Sequence, residues 1–123
     1  TILVAEDDPA VRKMTVSVIE EAGYAVLSAR NGEEALEILN RNADAISLVL
    51  LDVVMPGKNG HEVWEEIRKR CPGLPVLFSS GYSKNAIHTN FILHEGLKLI
   101  QKPYGPEKLL KSIRLMLDEE KRG

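Results

Sequence analysis

Two kinds of segment alternate along the chain. Short apolar runs rich in Val, Ile and Leu lie at 2–5, 25–29, 47–51, 75–79 and 97–101. Runs this short and this continuously apolar suit strands covered on both faces. Between them, apolar residues recur every three or four positions. In 9–22 the repeat is carried by Val11, Met14, Val18, Ile19 and Ala22, which is helical spacing. Pro9 suits the first turn of that helix, Asp8 its N-cap and Gly23 its end. The stretches 33–40, 60–70 and 106–119 read the same way, and 83–94 is a version diluted by Asn85, His88, Thr89 and Asn90. Five strands alternating with five helices predict an α/β fold, a five-stranded parallel sheet with helices on both faces. Right-handed crossovers and the chain length select the flavodoxin-like strand order 2-1-3-4-5.

In such a sheet, ligands bind beyond the carboxyl ends of the strands, and this rule picks out the candidate chemistry. The first run ends in Glu6-Asp7-Asp8, the third in Asp52, the fourth in Ser79-Ser80-Gly81 and the fifth in Lys102-Pro103. The fold brings these groups to one edge. Carboxylates crowded there repel, by roughly 4 kcal/mol for a pair about 4 Å apart at an effective dielectric near 20. A divalent cation relieves that repulsion, and hard oxygen ligands select Mg2+, or a similar ion such as Mn2+, over zinc. A lysine adds a point charge for phosphate oxygens, and a serine hydroxyl donates to one of them. Carboxylate nucleophile, metal, lysine and hydroxyl together make a phosphoryl-transfer site. Each part alone has an ordinary reading. Acids before Pro9 cap a helix, an Asp ends a strand in a turn, and a lysine before proline sits on an exposed loop. Joint placement at four strand ends favours the functional reading.

Composition narrows the rest. The chain has 123 residues, 44% hydrophobic and 28% charged, which fits one soluble globular domain spanning 1–123. A net charge of -2 without a basic stripe gives no electrostatic case for nucleic acid. No apolar run has the length of a membrane span, so no membrane contact is expected of this domain. Cys71 is the single cysteine; it excludes an internal disulfide and suits a reducing compartment. The chain starts inside an apolar segment and reads as a piece of a longer protein. His61, His88 and His94 share no metal spacing with one another or with Cys71. Trp64, with Val63 and Ile67, reads as a helix face packed on the sheet, and Gly57 and Gly60 as residues that let backbone approach the site after Asp52.

Four stretches resemble the receiver domains of two-component response regulators and hybrid sensor histidine kinases. They are Ile2-Leu3-Val4-Ala5-Glu6-Asp7-Asp8, Leu51-Asp52-Val53-Val54-Met55-Pro56-Gly57 with Gly60, Pro75-Val76-Leu77-Phe78-Ser79-Ser80-Gly81-Tyr82, and Gln101-Lys102-Pro103-Tyr104. The resemblance runs from Ile2 to about Leu117. It implies that Asp52 accepts a phosphoryl group from a histidine kinase or a histidine phosphotransfer domain. It implies metal ligation by Glu6, Asp7, Asp52 and the backbone carbonyl of Val54, with Asp7 the more direct ligand of the acidic pair. Ser80 holds the switch-hydroxyl position and Lys102 the lysine position. The phosphorylated surface would regulate a partner protein or an attached output domain. No independent enzyme is implied beyond phosphorylation and dephosphorylation of the domain itself. Two positions depart from the common pattern: Glu6 stands where Asp is usual, and Leu99 where many members carry Tyr or Phe.

The principal alternative is a metal-dependent phosphatase with an Asp nucleophile, of the haloacid-dehalogenase type. Such an enzyme needs a second Asp two residues after the first, and Val54 cannot transfer a proton. A docking module that is never phosphorylated would not need the charged residues retained here. The stretches Gly81-Tyr82-Ser83 and 99–104 are similar to receivers attached to hybrid sensor kinases. The expected location is therefore the cytoplasm, as a separate protein or as the cytoplasmic part of a membrane-bound kinase.

Overall fold

In a computed structural model of the chain, residues 1–53, 55, 57, 59–80, 98–102 and 104–122 are described, without the side chains of 120–122. Strands β1 (Ile2–Ala5), β2 (Val26–Ala29), β3 (Leu48–Asp52), β4 (Val76–Ser80) and β5 (Lys98–Gln101) form one sheet. All pairings are parallel, and the order is β2-β1-β3-β4-β5, as the alternation predicts. Helices α1 (Pro9–Glu21), α2 (Gly32–Asn42), α3 (Gly60–Arg70) and α4 (Pro106–Arg122) are the helices among the described residues. The helix expected at 83–94 lies outside them.

Strand alternation sorts the core into two layers. Leu3, Ala5, Val49, Leu51 and Phe78 face one way, against Leu36 and Leu39 of α2 and Val63, Trp64 and Ile67 of α3. Ile2, Val4, Leu48, Leu50 and Leu77 face the other, against Ile19 of α1 and Leu109 and Ile113 of α4. β1, β3 and β4 are buried throughout, which explains their unbroken apolar runs. β5, at the sheet edge, is largely exposed, and Leu99 is 40% exposed. The expectation of strands covered on both faces therefore does not hold for β5.

The helix ends follow local chemistry. Asp8 caps α1 by accepting from the backbone N–H groups of Ala10 and Val11 at 2.9 and 3.2 Å, with Pro9 in the first turn. Asn31 caps α2, and Asn59 with Glu62 forms a reciprocal capping box on α3. The inward stripe of α1 differs from the predicted one. Thr15 and Ile19 are buried, while Met14 is 50% exposed and Ala22 is exposed. Spacings of three and four residues define adjacent stripes on a helix, and the rotation of the packed helix selects between them.

Candidate functional site

The strand ends deliver the expected groups to one edge. Glu6 follows β1 directly and is 3% exposed; Asp52 is the last residue of β3 and is 4% exposed. Asp7 is exposed. Carboxylate oxygens of Glu6, Asp7 and Asp52 lie within 4.8 Å of one another. The ammonium of Lys102, just beyond β5, pairs with Glu6 Oε1 and lies 3.1 Å from Asp52 Oδ2. Ser80 ends β4 and is buried; its carbonyl accepts from the Lys102 backbone N–H at 2.7 Å. Ser79, also buried, pairs in register with Asp52. Val54 lies outside the described residues.

Backbone contacts hold this edge. The Asp8 N–H donates to Glu6 Oε2 at 3.2 Å, and Arg12 of α1 donates to the Glu6 carbonyl at 2.8 Å. The Gly60 N–H donates to the Val53 carbonyl at 2.8 Å, drawing the start of α3 onto the end of β3. Gly57, in the connecting loop, has a φ of 76°, a region that favours glycine. Gly57 thus serves a turn and not the close approach expected of it, while Gly60, the first residue of α3, provides the close approach. Sequence reasoning missed Arg12 and Thr15, and it named Tyr104 only within the stretch 101–104, without its contact to Thr15, whose hydroxyl it meets at 3.0 Å. Thr15 stands four residues before Ile19 on one helix face, but Met14 fits the adjacent stripe equally well, so spacing alone did not choose between them.

The electrostatics are those of a crowded acidic pair with one cation. Burial raises the pKa of Asp52, the neighbouring Glu6 raises it further, and Lys102 only partly offsets them, so it is pushed up to about 7. Burial alone would raise Glu6 too, but hydrogen bonds with Asp52 and Lys102, the Asp8 N–H and the Lys102 charge hold it below its ordinary value. For Lys102, burial opposes the charged form, and its two carboxylate partners outweigh that and raise its pKa. The site has more acid than its lysine can neutralise. The buried oxygen Glu6 Oε1 lies against the Lys102 ammonium. Three carboxylates from two strand ends, with a single lysine between them, are a donor set that fits a hard divalent cation.

The sequence matches the response regulator receiver domain family over residues 2–114, and the chain belongs to that family. It is 33% identical to the sensor kinase CckA of Brucella abortus over 98% of its length, spanning 13% of that protein. It is 34% identical to the response regulator receiver protein CpdR of the same organism, covering 94% of this chain and 95% of CpdR. A CheY-like receiver domain protein from Methanospirillum hungatei, known from its crystal structure, superposes with a TM-score of 0.88 at 31% identity, covering 98% of this chain and 95% of that one. The protein is thus a receiver domain of two-component signalling. Receiver domains take phosphoryl groups from histidine kinases and can be attached to output domains.

Proposed function

We propose that Asp52 is the phosphoacceptor and that Glu6, Asp7 and Asp52 hold Mg2+ beside it. The observation that carries this reading is the joint placement of Asp52, two further carboxylates within 4.8 Å and the Lys102 ammonium at 3.1 Å. A carboxylate oxygen of Asp52 attacks the phosphorus of a phosphohistidine. The P–N bond breaks, its electron pair returns to the imidazole, and an acyl phosphate forms on Asp52. Lys102 neutralises charge on the phosphoryl oxygens. Magnesium, when bound, supplies charge that keeps Asp52 ionised and offsets the oxygens on the transferred group. The Val54 carbonyl is a further ligand by family resemblance. The donor is a histidine kinase or histidine phosphotransfer domain, and the receiver acts in the cytoplasm on a partner or an attached output domain. Among the described residues no helix is long and apolar enough to cross a membrane. Incubation with acetyl phosphate and Mg2+, followed by intact mass and hydroxylamine treatment, tests the acceptor. One labile phosphoryl group is expected; a hydroxylamine-stable product would refute it.

Metal dependence should divide unequally between the two acids. EDTA should stop labelling and added Mg2+ restore it. Asp7 is exposed, whereas Glu6 is already neutralised in part by Lys102. Asp7→Ala should therefore weaken Mg2+ binding about tenfold more than Glu6→Ala. Calorimetric titration measures this, and equal losses would remove the distinction.

Lys102 and Ser80 should separate transfer from response. Lys102→Ala should slow labelling by about 10- to 100-fold. Ser80→Ala should still be labelled but respond poorly, because its hydroxyl is needed only once phosphate is present. Leu99 offers no aromatic ring at the sheet edge, so the response is assigned to 80–84 and the helix expected at 83–94, most of which lies outside the described residues. Hydrogen exchange with and without beryllofluoride should change most in 80–95. Changes confined to 57–60 would instead place the response beside α3.

A further inference from the structure

The Tyr104 and Thr15 hydroxyls meet at 3.0 Å inside an otherwise apolar layer that includes Ile2, Val4, Ile19, Leu109 and Ile113. Tyr104 is 8% exposed and Thr15 1%. Stability alone does not call for this pair. Phenylalanine and valine would fill nearly the same space, and replacing both partners of a buried hydrogen bond by apolar groups can be close to neutral. What is informative is the pair of segments the bond joins. Tyr104 stands two residues after Lys102. Thr15 belongs to α1, which grows out of the acidic loop, is capped by Asp8 and sends Arg12 back to the Glu6 carbonyl. The bond therefore ties the segment carrying the lysine to the helix that anchors the acids.

Lys102 needs such a tie. Its ammonium must meet Glu6 and Asp52 together, yet a flexible four-carbon stem does not fix its own direction. On the β4 side its backbone is held by the N–H bond to the Ser80 carbonyl. On the other side, Tyr104 reaches across the core to α1, and two anchored ends fix how the stem leaves the chain.

We infer that Tyr104 and Thr15 are positioning residues, whose buried hydroxyl–hydroxyl bond locks the segment after β5 onto α1 and so sets the Lys102 ammonium beside Asp52. The inference rests on the reading of Asp52 as acceptor and Lys102 as its cation. It is tested with Tyr104→Phe, Thr15→Val, the double variant and Thr15→Ser, each measured for single-turnover labelling by acetyl phosphate with Mg2+ and for urea unfolding. The double variant leaves neither hydroxyl unpaired, so its urea midpoint should stay near wild type while its labelling rate falls about tenfold. Thr15→Ser loses a buried methyl, and with it stability, but keeps the hydroxyl; its rate should stay within about twofold of wild type. If the double variant is too unstable to assay, Thr15→Val against Thr15→Ser makes the same comparison. Labelling at the wild-type rate without the hydroxyls, or rates that simply follow the urea midpoints, would overturn the inference. Wild-type protein that takes no label, or an Asp52→Asn variant that is fully labelled, would instead overturn the acceptor assignment, so the two failures are told apart.

Discussion

Asp52→Asn is expected to abolish phosphoryl incorporation and, without divalent cation, to make the domain more stable. The first effect follows from the loss of the nucleophile: an amide neither attacks phosphorus nor forms an acyl phosphate. The second follows from the pocket. Asp52 and Glu6 are both buried beside one lysine, and the pKa of Asp52 is pushed from its ordinary 3.8 up to about 7. Between those values the folded protein holds a proton on Asp52 that the unfolded chain has released. Stability contributed by this group is therefore full below the unfolded value and is lost as pH rises towards 7. Glu6, held below its ordinary value, works in the opposite sense but only in a more acidic window. Metal-free wild type should thus be less stable at pH 8 than at pH 5. Asp52→Asn should lack that decline and gain about 2 kcal/mol at pH 8. Urea midpoints in EDTA at the two pH values measure both. A variant less stable than wild type at pH 8 would show that the carboxylate pair is not under repulsion.

Gly60→Ala should be among the most destabilising single-atom additions in the molecule. A Cβ at Gly60 would lie 2.7 Å from the Asp52 carbonyl oxygen, 2.8 Å from the Val53 Cα and 3.0 Å from the Val53 carbonyl oxygen. All three are backbone atoms at the end of β3, which is paired on both sides by β1 and β4, so none can swing aside as a side chain would. Relief must come from lifting α3 off the strand, which breaks the Gly60–Val53 hydrogen bond and shifts the peptide carrying Asp52. A loss of about 2–4 kcal/mol is expected, with slower labelling of Asp52. Gly57→Ala is the control. Its Cβ would meet open space, so only the strained backbone, with φ of 76°, contributes, about 1 kcal/mol. Equal midpoints for the two variants would mean that α3 can move off the strand freely.

Much of this protein is written locally. The buried strands β1, β3 and β4 announce themselves because a strand covered on both faces must be apolar at every position. Asp8 marks a helix start because its short side chain answers N–H groups that the helix itself leaves unpaired, and Pro9 because it has no N–H of its own to leave unpaired. The acids and the lysine could be placed at one edge without coordinates, because a parallel sheet sends all its strand ends the same way.

What only the tertiary structure decided concerns distances and rotations. Sequence spacing could not say that Met14 turns outward and Thr15 inward, because neighbouring stripes on a helix are equally periodic until the helix packs. Nor could it show that Lys102 meets Glu6 as well as Asp52, or that Asp52 is driven towards its protonated form, since both depend on separations of a few ångströms between residues on different strands. The bond between Thr15 and Tyr104, 89 positions apart, has no local signature. Pattern along the chain reports what each residue does to its neighbours in sequence, and that sets the elements and their order. The chemistry of the site depends on which side chains the packed layers bring together.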